Sequence, residues 1–214
     1  MLDDDLLLDS ARPPGDKLNS GNADYSAVGR SETTSAGVLS SCQYSWFALR
    51  ATYSRELKIK NQLAERGVRT FVPMIWKKTQ SGSDNKKKLV PAISSICFVY
   101  WTKQDIDQYI RSFGDVRPVN YYWDRTKNCP LTIPEKSMED FITVSSSIDE
   151  DLIYITEIND KLREGQTVKV KEGPFAGVEG KVVRIKKSRR IFVELPGMLA
   201  VATTYVSPPM LEII

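Results

Sequence analysis

Two rhythms of apolar residues divide this chain. Between residues 45 and 145, long apolar blocks alternate with helix-spaced segments; beyond residue 165, short β-branched runs alternate with turn signals. The run Trp46-Phe47-Ala48-Leu49 predicts a buried first strand. Ser54 is placed to cap a helix with Glu56 in its first turn, Leu57, Ile59, Leu63 and Ala64 along it, and Gly67 at its end. Residues 70–76 predict a second strand, in which Pro73 demands an edge position or a bulge. A polar hairpin loop over 77–88 carries lysines on both arms, and a third strand returns from Ile93 to Trp101. Thr102 then caps a helix with Asp105 three residues on; Ile106, Tyr109, Ile110 and Phe113 share one face, and Gly114 ends it.

Strand-like pieces at 116–122 and 131–133 precede a helix with Pro134 at its first position and Met138, Phe141 and Ile142 inside it. The order β-α-β-β-α-β-α predicts an α+β, ferredoxin-like sandwich over residues 45–145, with helices on one face of an antiparallel sheet. Residues 146–164 turn Ser-rich and then acidic and read as a linker, although Leu152-Ile153-Tyr154-Ile155 is apolar enough to dock as a strand or short helix. Residues 165–214 pack four or five short strands into fifty residues, which predicts a small closed β-barrel without exposed edges. Residues 1–44 read as a disordered acidic tail. Its three leucines behind negative charges do not make a signal peptide, and no later run reaches the roughly 18 apolar residues of a membrane span. A soluble, cytoplasmic monomer is expected.

Composition narrows the chemistry. The 214 residues include no histidine, which removes Ser-His-Asp and Cys-His catalysis and histidine metal ligands. Cys42, Cys97 and Cys129 are too far apart for a Cys-x-x-Cys pair, so neither a zinc site nor a disulfide framework is expected. No catalytic residue, metal or cofactor is assigned. The net charge of +3 averages over unlike parts. Residues 1–44 hold 3 basic and 7 acidic groups, 45–117 hold 14 and 6, 118–165 hold 5 and 10, and 166–214 hold 8 and 4. Two basic blocks thus flank an acidic middle, a pattern suited to a polyanionic partner and equally to solubility.

The stretch from Gly165 to Val182 spaces its residues as Gly-x-x-Val-x-Val-x-x-Gly-Pro-Phe-x-Gly-x-x-Gly-x-Val. Val168 and Val170 share a face, Gly173 and Gly177 permit a tight turn, and Gly180 allows close approach where the next strand begins. The segment resembles the KOW motif of transcription elongation factors and ribosomal proteins. Ahead of it, Trp46-Phe47-Ala48-Leu49-Arg50, Glu56-Leu57-Lys58-Ile59, Arg66-Gly67-Val68, Thr70-Phe71-Val72-Pro73, Val90-Pro91, Phe98-Val99 and Leu131-Thr132-Ile133-Pro134 resemble the NusG N-terminal (NGN) domain. Residues 45–214 therefore resemble the NusG family, an NGN domain followed by an SH3-like KOW barrel. Where general members read Pro-Gly-Tyr in the third strand, this chain has Ser94-Ser95-Ile96, which with its long acidic tail resembles specialised RfaH-like or UpxY-like antiterminators.

The resemblance implies a transcription elongation or antitermination factor without covalent chemistry, acting on long operons such as polysaccharide clusters. An apolar NGN patch would grip the clamp helices of RNA polymerase; by position it would comprise Phe98, Ile96, Arg50, Val116 and Pro118, although Phe98 and Ile96 equally suit a buried core. Lys77, Lys78, Lys86, Lys87 and Lys88, with Trp76 at the hairpin base, suit phosphate contact. Gln62 and Arg66 lie one helical turn apart, where RfaH-like proteins face non-template DNA; nascent RNA is the other polyanion. In the KOW domain, Pro174 and an exposed Phe175 would engage ribosomal protein S10 or Rho. Lys186, Lys187, Arg189 and Arg190 form a basic tip suited to RNA or to solubility. The alternative is a KOW-type RNA- or ribosome-binding protein without polymerase contact.

Overall fold

The computed structural model describes residues 43–78, 87–147, 151–158, 165–185 and 187–214; the acidic tail expected over 1–44 lies outside these apart from its last two residues. The sequence-predicted first strand is the hub. In β1, Tyr44–Ala51, all four residues from Trp46 to Leu49 are buried, so the strand is covered on both faces. It pairs antiparallel with β5, Ile96–Thr102, placing Phe47 opposite Val99, Ala48 opposite Phe98 and Arg50 opposite Ile96. The sheet runs β2-β5-β1-β6, with β2 at Arg69–Phe71, β6 at Val119–Tyr121, and β9, Thr132–Ile133, pairing the start of β1.

Because side chains alternate across a strand, this sheet has two apolar faces. Phe47, Leu49, Ala51, Cys97 and Val99 pack beneath α1, Glu56–Ala64, and α2, Lys103–Arg111, through Ile59, Leu63, Ile106 and Tyr109. Trp46, Ala48, Ile96 and Phe98 face the other way, onto Met138, Phe141 and Val144 of α3, Glu135–Ser146. The helices therefore lie on both faces, not on one as the element order predicts, because a strand apolar on two sides needs two covers.

Local chemistry sets several boundaries. Thr102 caps α2 as expected, its hydroxyl accepting the Asp105 N–H at 3.1 Å. Ser54 does not cap α1. Tyr53 and Ser54 have φ of 58° and 52°, while the Thr52 N–H and hydroxyl both donate to the Pro118 carbonyl, at 2.8 and 3.1 Å. This left-handed turn ties the helix entry to the β6 end and carries Ser54 away from the helix N-terminus. The second and third strands are also broken. Pro73 separates β2, the sheet edge, from β3, Met74–Lys78, which pairs only with β4, Lys87–Pro91, as a separate ribbon. A turn at 92–95 with Ser95 at φ 65° leads into β5. Short strands β7, Trp123–Asp124, and β8, Cys129–Pro130, form a small hairpin before α3, whose N-cap is Pro134.

The second domain is a six-stranded antiparallel sheet in the order β10-β14-β13-β12-β11-β15. Its strands are β10, Ile153–Ile155; β11, Thr167–Val170; β12, Glu179–Ile185; β13, Ser188–Leu195; β14, Leu199–Tyr205; and β15, Leu211–Ile213. The apolar run inside the expected linker is thus its edge strand, β10. Val168 and Val170 from one end of the sheet share a buried cluster with Ile191, Val193 and Val201, which requires the sheet to curl. That cluster is continuous with Phe98, Met138 and Phe141. Among the described residues, no helix is long and apolar enough to cross a membrane.

Gly180 fits the sequence expectation of close approach: a Cβ there would lie 2.6 Å from the Phe192 carbonyl oxygen and 2.7 Å from Ile191 Cγ2. Neither neighbour is the end of a flexible chain. Gly180→Ala is expected to cost about 1–3 kcal/mol through overpacking, lowering the melting temperature by roughly 2–4 °C per kcal/mol; calorimetry of both proteins checks it.

Candidate functional site

The basic ribbon is the most exposed of the expected sites. In β3 and β4 Lys77 pairs opposite Lys88, Lys78 opposite Lys87, and Trp76 opposite Leu89. All four lysines are exposed, as is Trp76 at 44%. Lys86 lies outside the described residues.

Gln62 lies on α1, whereas Arg66 is not on the helix as expected, because α1 ends at Ala64 and Arg66 falls in the turn after it; Tyr109 of α2 nonetheless brings the two together. The Tyr109 hydroxyl donates to Gln62 Oε1 at 3.3 Å, and the Arg66 guanidinium sits 5.2 Å over the Tyr109 ring. Burial raises the Tyr109 hydroxyl pKa, with Arg66 opposing, so it remains a donor. Beside them an apolar pocket of about 230 Å³ is lined by Arg55, Lys58, Ile59, Gln62, Phe113, Val116 and Pro118. Tyr53, 84% exposed, stands nearby in sequence with Arg55 5.5 Å from its ring. Arg55, Lys58 and Tyr53 escaped the sequence reading because only the left-handed turn at 53–54 presents them, and two non-glycine residues with positive φ leave no sequence signature.

The five residues expected to form one apolar patch are split. Phe98 and Ile96 are buried on the α3 face, and Arg50 is exposed on the same side of the sheet. Val116, 71% exposed, and the buried Pro118 instead line the pocket beside α1. The cause is strand alternation together with the chain leaving α2 on the opposite side of the sheet. Phe141 of α3 holds the covered face shut: its ring lies 5.7 Å from Phe98, 6.2 Å from Phe71 and 6.3 Å from Tyr154 of β10. At the rim, Lys136 Nζ reaches Asp140 at 2.6 Å, the Gly177 carbonyl at 3.1 Å and Glu179 at 3.9 Å.

In the second domain Pro174 is exposed, but Phe175 is 5% exposed and packs into the continuous core. The expectation of an exposed loop aromatic is corrected: the turn through Gly173 and Gly177 folds the ring inward beside Val178. Lys187 and Arg189 are exposed at the β12–β13 turn. Arg190 is not a free tip residue, since its Nη1 donates to the carbonyls of Asp151 and Thr203 at 2.7 and 2.8 Å. Lys186 lies outside the described residues.

A wide cleft of about 790 Å³ was not anticipated from sequence; Tyr44, Trp46, Tyr100 and Trp123 line it, with Arg125 and Lys127. No group of three metal-ligating side chains occurs among the described residues. Burial pushes the Cys97 thiol up to about 12, leaving it protonated and unreactive at neutral pH.

Two family models match this architecture in order. Residues 44–142 match the NusG family, described as transcription termination factor NusG, and residues 164–194 match the KOW motif. The chain belongs to the NusG family, and so to the factors that act on transcription elongation and antitermination. No curated protein matches it. A solved structure described as domain interaction in Thermotoga maritima NusG is 17% identical, covering 80% of this chain and 98% of that one, with a TM-score of 0.42.

The two neighbouring arginines make a direct check on which charges are structural. Arg190→Ala is expected to cost about 1.5–3 kcal/mol by removing charged hydrogen bonds, whereas Arg189→Ala should stay within about 0.5 kcal/mol of the parent. Chemical denaturation of the two variants measures the difference.

Proposed function

We propose that this chain is a cytoplasmic antitermination factor that binds RNA polymerase through the sheet face carrying Ile96 and Phe98, and that α3, held down by the KOW domain packed on it, covers this face until polymerase engages. One observation carries the reading: the apolar cluster runs without a break from Phe98 through Phe141 to Val193 and Val201 of the second domain. Such a face is stable in water only while covered. The same cover accounts for Phe98 reading equally as core and as binding surface, because it is core in this arrangement and would be surface in an opened one. The protein acts by holding other machines together and not by covalent catalysis.

Other assignments join this reading. Lys77, Lys78, Lys87 and Lys88, with Gln62 and Arg66, are proposed to meet the nucleic acid of the elongation complex, the first group by charge and the second beside an apolar pocket. Pro174, Lys187 and Arg189, all exposed, are the proposed KOW-domain contact for S10 or Rho. Ser94-Ser95-Ile96 supports a specialised role on long operons. Ser95 has φ 65°, a left-handed conformation that costs a non-glycine residue roughly 1–2 kcal/mol, so this chain holds a strained turn where general members carry glycine.

Phe98→Asp is a poor test, since a charge placed in that core would unfold the domain. Lys136→Glu is better: it lies half-exposed on the rim, and the change sets a carboxylate against Asp140 and Glu179. If the second domain covers the polymerase-binding face, a pull-down with core RNA polymerase should retain the parent and retain the variant several-fold better, each 1.4 kcal/mol of lost masking being worth about tenfold. Retention by RNA or ribosomes but never by polymerase would support the KOW-type RNA- or ribosome-binding alternative.

A further inference from the structure

The sheet face that carries Ile96 and Phe98 runs on past the start of α3, and there the cleft of about 790 Å³ opens. Trp46 pairs opposite Tyr100 on one side and Ile133 on the other, and all three line the cleft with Tyr44 and Trp123. The rings of Tyr44 and Trp46 lie 5.8 and 5.4 Å from that of Tyr100, so these aromatics form one strip. Trp123 is 51% exposed yet held in place, its indole N–H donating to Asn128 Oδ1 at 3.1 Å. Pro196 and Gly197, in the β13–β14 turn, add a wall from the second domain.

Two observations define what this cleft accepts. Trp46 is 1% exposed, and its indole N–H is buried without an acceptor among the described residues. A buried donor left unpaired is costly, so an occupant that brings a carbonyl is favoured. The charges of the lining also cancel, Arg125 and Lys127 against Asp124 and Glu135, so a polyanion gains no net attraction while a segment of mixed charge does. Proline-containing segments suit aromatic-lined grooves of this kind. Polyproline II backbone makes no internal hydrogen bonds, which leaves its carbonyls available, and it loses little entropy on docking.

We propose that the chain's own segment Arg12-Pro13-Pro14-Gly15-Asp16-Lys17 docks in this cleft, its prolines against Tyr44, Tyr100 and Trp123 and one of its carbonyls accepting the Trp46 N–H. Two successive prolines favour polyproline II backbone at Arg12 and Pro13. Arg12, Asp16 and Lys17 supply the mixed charge that the lining calls for. Leu6-Leu7-Leu8 is also apolar, but Asp3, Asp4, Asp5 and Asp9 flank it and would crowd negative charge onto Asp124 and Glu135. The connection is direct, because Gln43, the first described residue, itself lines the cleft. About 28 residues separate it from Gly15, a span of at most roughly 95 Å. Tethering of this kind gives an effective concentration of about 1 mM, so a contact too weak to hold between separate molecules suffices. A segment lying between Trp123 and Pro196 touches both domains. The inference goes beyond the polymerase reading and does not rest on it.

The test is fluorine NMR of the full chain with 5-fluorotryptophan at its four tryptophans. Trp76, Trp101 and Trp123 are assigned by single Trp→Phe variants and Trp46 by elimination. Pro13→Gly with Pro14→Gly should shift the Trp46 and Trp123 signals and leave those of Trp76 and Trp101 in place. Both substitutions lie outside the described body, and the two unmoved signals report that the fold is kept. The shift should be the same after tenfold dilution, as an intramolecular contact requires. The proposal is overturned if the Trp46 and Trp123 signals do not respond, or if all four move together. It is equally overturned if the response fades on dilution, which would make the segment of a second copy the occupant, or if Leu6→Ser, Leu7→Ser and Leu8→Ser together produce the shift and the proline variant does not.

Discussion

The packing of Phe141 is the contact on which the rest of this molecule depends. A first strand that is apolar on both sides cannot stand at a water-facing surface of a sheet. α1 and α2 cover one side, and α3 has to cover the other. Met138, Phe141 and Val144 are all fully buried, more apolar surface than one sheet face absorbs, so α3 also needs a cover of its own. The second domain supplies it, and Tyr154 of β10 completes the ring of aromatics around Phe141. Burying each of these side chains contributes roughly 1.5–3 kcal/mol, shared between the sheet beneath α3 and the second domain above it.

That coupling decides what kind of binding the α3 face can support. A partner that reaches Ile96 and Phe98 must supply enough contact energy to replace what the second domain gives up. A ligand shifts such an equilibrium only by its differential affinity for the open and closed arrangements. The polar rim matters more than its small intrinsic energy suggests. Lys136 joins Asp140 on its own helix to Gly177 and Glu179 of the second domain, and a half-exposed ion pair of this kind is worth about 1 kcal/mol or less. Contacts of that size leave the face closed but within reach of a partner with a large apolar surface.

Much of this was legible in the sequence, for identifiable reasons. The four-residue apolar run at Trp46 fixed the central strand, Thr102 with Asp105 fixed the second helix, and the glycine spacing at 173, 177 and 180 fixed the barrel turn. Each is a local signal whose physics needs few neighbours. The failures all involve partners distant in sequence. Ser54 looked like a cap, but Thr52 is claimed by Pro118, and the turn that results removes Ser54 from the helix. Phe175 looked like an exposed loop aromatic, but its ring is taken into a core whose other members, Phe141 among them, lie far along the chain. Val116 and Phe98 looked like members of one patch, but strand alternation and the path of the chain put them on opposite sides of the sheet.

Arginine and lysine at the two hairpins show why charge alone is a poor guide to function. In the second domain Arg184 and Arg189 oppose each other across β12 and β13, yet the next residue, Arg190, turns inward and spends its guanidinium on two backbone carbonyls. One basic tip therefore mixes charge that holds β10 and β14 in place with charge left at the surface. The β3–β4 ribbon differs: its opposed lysines are all exposed, and the ribbon they sit on extends neither sheet.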